Sequence, residues 1–127
     1  MELFTALALF ASHYVGDFLL QRREVALHKS EDLKCLAEHT IIMFIVTMVF
    51  MLVTGKAFII VMSAALLYAV LHGLQDKFIW RMFGDIVAIN NYKKGSAEFD
   101  RWFFTTLGLD QMLHMMVMFG IVTIILL

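Results

Sequence analysis

Long apolar runs separated by short polar breaks dominate the sequence. The runs include Ile41–Val53, Ala57–Val70 and Met115–Leu127. A bilayer-spanning helix needs about 20 mostly apolar residues, so the chain has room for about four such helices. The pattern predicts an all-α, polytopic membrane protein in which residues 1–127 form a single transmembrane domain, a four-helix bundle.

The polar breaks set the predicted helix boundaries. The first break is Gln21–Lys34, Gly55-Lys56 is a tight turn, and Arg81–Asp100 is the longest break, with Ile86–Ile89 as a candidate interfacial segment. Ser30, followed by two acidic residues, is a candidate N-cap of the second helix. The predicted helices span residues 2–20, 33–54, 57–80 and 101–126.

Composition narrows the classes of protein and partner. Hydrophobic residues make up 61% of the chain, against about 45–50% in a typical soluble domain. A net charge of −1 argues against nucleic acid as a partner. Cys35 is the single cysteine, which excludes an intramolecular disulfide and a multi-cysteine metal cluster. Membrane lipids are the expected partners, and a homo-oligomer is an alternative that the sequence does not exclude.

The distribution of Lys and Arg residues predicts how the bundle is oriented in the membrane. The first break holds four Lys or Arg residues and the third holds five with its flanks, whereas the middle turn has only Lys56. The positive-inside rule therefore places the first and third breaks in the cytoplasm and both termini outside. The predicted protein is N-out/C-out with two cytoplasmic loops.

Seven His and Asp residues within the predicted helices then fall at one depth, in the cytoplasmic half of the membrane. Three pairs have i,i+4 spacing, which puts each pair on one helix face. These residues are the candidate metal ligands: His13, Asp17, His39, His72, Asp76, Asp110 and His114. Candidates for a supporting role or for substrate binding are Gln21, Lys77 and Gln111.

Two interpretations of this cluster compete. Intramembrane ionisable residues are costly and nearly always face the bundle interior, so His–Asp hydrogen bonds that clamp the helices would explain them. Helix bundles also build metal sites from facing helices at i,i+3 or i,i+4 spacing. The number of His and Asp residues favours a divalent metal site. The set exceeds the needs of one tetrahedral ion, so either some residues orient the ligands or the site is dinuclear. Zinc fits the ligand types best, with manganese and iron open.

The same residues carry a family resemblance. The opening His13-Tyr-Val-Gly-Asp17-Phe-Leu-Leu-Gln21, then His39, His72-x-x-x-Asp76-Lys77 and Asp110-Gln111-x-x-His114 resemble a bacterial and phage membrane family, domain of unknown function 3307. The set is similar, more loosely, to small inner-membrane proteins described as metal-dependent hydrolases. The resemblance implies a multi-pass protein of the bacterial inner (cytoplasmic) membrane. It covers nearly the whole chain, and it includes Gly73, which would let a neighbouring helix approach closely.

Three functions fit the pattern. The leading one is a membrane-embedded metal-dependent hydrolase that acts on a phosphoester or amide, with Asp17, Asp76 or Asp110 as general base if not a ligand. The second is a metal-ion or proton transporter or channel, since intramembrane His/Asp chains are typical of such pathways. The third is a non-catalytic, phage- or defence-related membrane interaction protein whose metal only stabilises the fold.

Overall fold

The computed structural model describes residues 2–126, and side chains from residue 3 to residue 125; Met1 and Leu127 of the predicted domain lie outside this range. All the secondary structure described is helical. Two of the helices continue into short π-helical segments. The elements are α1 (Glu2–Tyr14) with a π-helical segment (Val15–Leu19), α2 (Arg23–His28), α3 (Leu33–Leu52), α4 (Phe58–Ile89), and α5 (Ala97–Ile121) with a second π-helical segment (Val122–Leu126).

Three of these elements are long and apolar enough to cross a membrane. They are α3, α4, and α5 extended to Ile125, whereas Leu3–Leu19 is a shorter apolar helix. Large apolar side chains cover the outside of the bundle: Leu33 is 70% exposed, Phe58 60% and Ile124 83%. Soluble monomers rarely expose apolar patches of this kind. The prediction of an all-α chain is confirmed, and three of its helices are long and apolar enough to span a membrane.

Helices α1, α3, α4 and α5 form a ring in which each contacts two neighbours. Helix α3 packs against α1 and α4, α5 packs against α4 and α1, and α2 lies against α3. The end of the ring near the Gly55 turn is filled by an apolar core that includes Leu9, Met51, Val61 and Met118. Successive helices of the ring run in opposite directions. The end of the ring away from the Gly55 turn therefore contains the C-terminal part of α1, the N-terminal part of α3 and the polar central parts of α4 and α5.

Helix α4 runs beyond the predicted boundary at residue 80. Trp80 and Phe83 make edge or tilted ring contacts with Phe103, and Phe83 also contacts Phe99. These contacts stabilise an extension that hydropathy alone did not predict. Residues 86–89 are therefore the last turn of α4 rather than a separate interfacial segment, and α5 begins at residue 97 instead of 101.

The first polar break contains a helix that the sequence pattern did not predict. Helix α2 occupies its middle, and α3 begins directly after Asp32. Asp32 is the N-cap, because its Oδ1 accepts from the backbone N–H of Lys34 at 2.7 Å. The expectation that Ser30 caps this helix is wrong: Ser30 lies two residues earlier, in the turn that links α2 to α3.

Two glycines have the roles that the sequence predicted. Gly55 has a φ of +73°, which fits the tight turn between α3 and α4. Gly73 lies at a close approach of α4 to α3, since a Cβ there would be 2.5 Å from Thr40 Oγ1. The close approach brings His39 of α3 and His72 of α4 into contact.

Candidate metal site

All seven predicted ligands lie in the polar end of the bundle, and all are buried. His39, His72, Asp76 and His114 are completely or almost completely inaccessible, and none of the seven is more than 8% exposed. The antiparallel helices bring together residues that are far apart in the sequence. The structure therefore places the whole predicted set in one polar cluster inside the bundle.

Four of these residues form a tight group from three different segments. His39 Nε2 and His72 Nε2 are 2.9 Å apart. His39 Nε2 lies 3.3 Å from Asp17 Oδ1 and 3.0 Å from Asp76 Oδ2. His72 Nε2 lies 3.6 Å from the same Asp17 oxygen and 3.2 Å from the same Asp76 oxygen. We call Asp17, His39, His72 and Asp76 the first ligand group.

Five of the six distances within the first ligand group are compatible with a tetrahedral coordination shell. Metal–ligand bonds of about 2.0–2.1 Å place the ligand atoms of a tetrahedral zinc site about 3.3 Å from one another. The five distances given above range from 2.9 to 3.6 Å. Two imidazole nitrogens and two carboxylate oxygens are also suitable donors for a divalent ion. The residues therefore fit a metal ion in spacing and in chemistry.

A second group of metal-ligand type shares Asp76 with the first. Asp76, Asp110 and His114 can each offer an atom within 4.8 Å of the others. His114 Nε2 lies 4.0 Å from Asp76 Oδ1, and His114 Nδ1 lies 3.7 Å from Asp110 Oδ1. The His114 ring packs on that of His72, with ring centroids 4.1 Å apart. We call these three residues the second ligand group; its atoms are more widely spaced than those of the first.

His13 lies beside both groups but belongs to neither among the residues described. Its Nδ1 is 2.7 Å from the hydroxyl of Tyr68, and its Nε2 is 2.9 Å from Gln111 Oε1. The Tyr68 hydroxyl is also 3.4 Å from His72 Nδ1. Both ring nitrogens of His13 are thus occupied by hydrogen bonds, and the side chain is placed to orient its neighbours.

These contacts define one consistent hydrogen-bond direction. Gln111 Oε1 can only accept, so His13 Nε2 donates to it and His13 Nδ1 accepts from the Tyr68 hydroxyl. The Tyr68 oxygen can then accept from His72 Nδ1. This assignment of protons, made from the hydrogen-bond network, leaves the lone pair of His72 Nε2 directed at the first ligand group. Tyr68 therefore holds His72 in the tautomer that a metal ion needs.

A π-helical segment begins between His13 and Asp17, which both contact Gln111 although only Asp17 belongs to the first ligand group. In a continuous α-helix, residues four apart share one face, which is why the sequence predicted a joint stripe. Helix α1 becomes π-helical after Tyr14, and Asp17 lies within the π-helical segment. The wider turn directs Asp17 to the first ligand group and leaves His13 facing Tyr68 and Gln111. Single π-helical turns of this kind are frequent at functional sites.

Lys29 is the main component that sequence analysis missed. Although it lies in the polar segment after α2, its side chain is only 6% exposed, and Nζ lies 2.8 Å from Asp76 Oδ2 and 3.3 Å from Asp17 Oδ1. Burial disfavours the ammonium form, but the carboxylates of Asp76 and Asp17 outweigh it and raise the pKa of Lys29 above its usual value. A charged lysine therefore balances part of the carboxylate charge.

Tyr68 was also missed, although a signal was available. It lies four residues before His72, which itself lies four before Asp76, so the three share one face of α4. A tyrosine in an apolar run looks like ordinary core, which hid this stripe. Lys29 had no comparable signal, because its position depends on how α2 folds back against α3.

Of the three residues predicted to support the site or to bind substrate, two contact the His/Asp cluster and one does not. Gln111 contacts His13 and donates to Asp110 Oδ2 at 3.2 Å. Gln21, with its amide oriented to satisfy both partners, donates to the Asp17 carbonyl and accepts from Lys29 Nζ at 2.9 Å. Lys77 instead lines a cavity outside the His/Asp cluster.

This cavity of about 560 Å³ adjoins the first ligand group at Lys29. It lies between the α2–α3 turn and the C-terminal half of α4. Lys29, Lys77 and Arg81 contribute cations to its wall, and Glu31, Asp32 and Asp85 contribute acids. The cavity gives the buried cluster a polar neighbourhood at the cation-rich end of the bundle.

A family model described as "Protein of unknown function (DUF3307)" matches residues 4–127. The chain belongs to the DUF3307 family. The match confirms the resemblance carried by the His, Asp and Gln residues of the sequence. No curated protein and no solved structure matches the chain. The family description names no activity, so a proposal about function has to rest on the geometry of the site.

Proposed function

We propose that this protein is a membrane-embedded, metal-dependent hydrolase of the bacterial inner membrane, with its site in the cytoplasmic half of the bilayer. The observation that carries the proposal is the tetrahedral spacing of His39 Nε2, His72 Nε2, Asp17 Oδ1 and Asp76 Oδ2. Leu3–Leu19, with its π-helical end, is the proposed fourth span. The N-out/C-out orientation is proposed from the distribution of cations.

Zinc is the proposed ion, with manganese or iron as alternatives. Two imidazoles and two carboxylates suit zinc in donor type and number. A water would reach such an ion by displacing one of the two carboxylates or as a fifth ligand. The ion would then lower the pKa of that water to about 7 and polarise a scissile bond. The chain's own residues would fix the ligand orientations: Tyr68 through His72, and Gln111 through His13.

The adjoining cavity favours a substrate that approaches from the polar end of the bundle. Lys29, Lys77 and Arg81 in its wall would attract the anionic part of a phosphoester, and the backbone and acids of the same wall could hold an amide. The location near the cation-rich breaks would admit either a lipid headgroup or a soluble molecule. A phosphoester or an amide is therefore the proposed substrate class.

Hydrolysis by stripped and reloaded protein tests the proposal. Protein purified in detergent is treated with a chelator, reloaded with Zn²⁺ or Mn²⁺, and assayed on chromogenic phosphoesters, phospholipid vesicles and chromogenic amides. We expect turnover that needs the metal and is lost in His39→Ala. His28→Ala is the matched control, because the His28 side chain is exposed and, among the residues described, hydrogen-bonds only to the Glu24 carbonyl of its own helix. Metal-loaded protein that is inactive on every substrate class would contradict catalysis.

A proton or metal-ion transporter is the second candidate. The chain of contacts His39–His72–Tyr68–His13–Gln111 favours it, since proton pathways use such chains. The apolar core at the other end of the ring counts against a pathway within one chain. Proton or metal flux into proteoliposomes, lost in Tyr68→Phe, would support transport over hydrolysis.

A further inference from the structure

The second ligand group contains buried polar atoms whose bonding capacity is unused. Asp76 Oδ1, Asp110 Oδ1 and both ring nitrogens of His114 are buried and have no hydrogen-bond partner among residues 2–126. His114 is completely inaccessible and Asp110 is 2% exposed. Buried polar atoms are nearly always satisfied by protein, water or an ion. The two carboxylate oxygens and one nitrogen of His114 can share one such partner, whereas the other His114 nitrogen, on the far side of the ring, cannot bind the same ion.

The carboxylate of Asp76 faces both ligand groups. Its Oδ2 lies 3.0 Å from His39 Nε2 and 3.2 Å from His72 Nε2, whereas its Oδ1 is the oxygen nearer His114, at 4.0 Å from Nε2. One carboxylate with an oxygen on each side has the arrangement by which paired metal ions share a ligand. The ring contact between His72 and His114 brings the two groups side by side.

We propose that the second ligand group binds a second divalent cation, so that Asp76 bridges two ions and Asp110 and His114 bind the second. The inference rests on the proposed first site and deepens it. It assigns Asp110 as a metal ligand, although the sequence also made it a candidate general base. The proposal also assigns a role to His114, whose nitrogens do not take part in the hydrogen-bond chain through Tyr68.

Charge predicts the order of binding. The buried carboxylates Asp17, Asp76 and Asp110 outnumber the Lys29 ammonium by two charges, so one divalent ion neutralises the cluster. A second ion leaves the cluster positive and needs an anionic co-ligand, such as hydroxide or a phosphate oxygen. The ligand atoms of the second group are also more widely spaced than those of the first, which favours weaker binding at the second site. The first site should therefore fill before the second.

Equilibrium dialysis of the purified, chelator-stripped protein against Mn²⁺ tests the inference. We expect about two ions per chain at saturation for wild type, and about one for His114→Ala and for Asp110→Asn. The second variant keeps the size of the side chain, so it answers the question if the first fails to fold. His28→Ala should retain about two ions. Paramagnetic resonance of the fully loaded protein should show two coupled Mn²⁺ ions, and this coupling should be absent in both variants.

The outcomes separate this inference from the proposed function. Wild type that saturates at about one ion, with no change in His114→Ala or Asp110→Asn, would overturn the second site and leave the first intact. Two ions retained in both variants would overturn the assigned ligands. Wild type that binds no Mn²⁺ or Zn²⁺ would overturn both the second site and the proposed function.

Discussion

Tyr68 shows how a single hydroxyl can control the chemistry of a neighbouring histidine. It lies between His13 Nδ1 at 2.7 Å and His72 Nδ1 at 3.4 Å. Partners of this kind orient metal-binding imidazoles and fix their tautomer. The same residue also belongs to the apolar core. Removing only its oxygen should therefore separate its effect on the site from its effect on packing.

Tyr68→Phe should weaken metal binding by about 10–100-fold without changing the number of ions bound, because His72 loses the partner that fixes its tautomer. Competition against a chromogenic chelator measures the affinity. Tyr14→Phe is the matched control, since Tyr14 is exposed and its ring stacks on that of Phe18, away from the His/Asp cluster. Equal affinities in Tyr68→Phe and wild type would show that the hydroxyl does not orient the ligand.

Lys29 offers a second test at the residue scale. Lys29→Met leaves Asp17 and Asp76 without their ammonium partner, and loss of one member of a buried pair costs about 3–5 kcal/mol. We expect a large fall in the thermal midpoint in the presence of a chelator, and recovery of most of it with saturating Zn²⁺. The exposed Lys34→Met is the control. A chelated Lys29→Met protein as stable as wild type would mean that the ammonium does not hold the carboxylates.

The sequence predicted the residue types of the cluster but not all of their contacts. The i,i+4 rule places His72 and Asp76 in one ligand group because α4 is a regular α-helix there. His13 and Asp17, with a π-helical segment beginning between them, both reach the cluster and contact Gln111, but only Asp17 belongs to a ligand group. Sequence spacing contains no sign of that change. The position of Lys29 depends on tertiary packing, which spacing along one helix does not encode.

At the scale of the helices, the close approach of α3 and α4 decides whether His39 and His72 can meet. Gly73 allows it, and a Cβ at this position would come within 2.5 Å of Thr40 Oγ1. The exposed Gly84 lies on the same helix with no atom within 4 Å of the corresponding Cβ. The two glycines therefore form a matched pair on α4.

Gly73→Ala should destabilise the protein by about 1–3 kcal/mol, because the added methyl group forces the two helices apart. It should also weaken metal binding, since His39 and His72 belong to those helices. Gly84→Ala should be neutral or slightly stabilising. Adding Thr40→Ala to Gly73→Ala should restore stability, as measured by thermal unfolding in detergent. A neutral Gly73→Ala would contradict the packing described.

The sequence predicted which long helices exist more accurately than it predicted where they end. The apolar runs located α3, α4 and α5, because a spanning helix must satisfy its backbone internally. The C-terminal end of α4 was predicted too early, since ring contacts of Trp80 and Phe83 stabilise a polar stretch. The short α2 was missed because its six residues carry too few apolar positions to show a period.

At the scale of the whole molecule, the proposed orientation places the metal cluster near the cytoplasm. The cysteine-free variant Cys35→Ser provides a background for labelling with a membrane-impermeant thiol reagent. The exposed Val53 lies in the turn after α3 and the exposed Asn90 follows α4. We expect Val53→Cys to be labelled from outside spheroplasts and Asn90→Cys only after permeabilisation. The reverse pattern would place the cluster in the outer half.

The metal content of the detergent-purified protein tests the central claim most directly. Elemental mass spectrometry should find at least about one divalent ion per chain in wild type and in His28→Ala, as a site with four protein ligands requires. His39→Ala should lose that ion while its elution volume shows an intact bundle. A folded wild type that contains no divalent metal, and takes up none when Zn²⁺ or Mn²⁺ is supplied, would contradict the account.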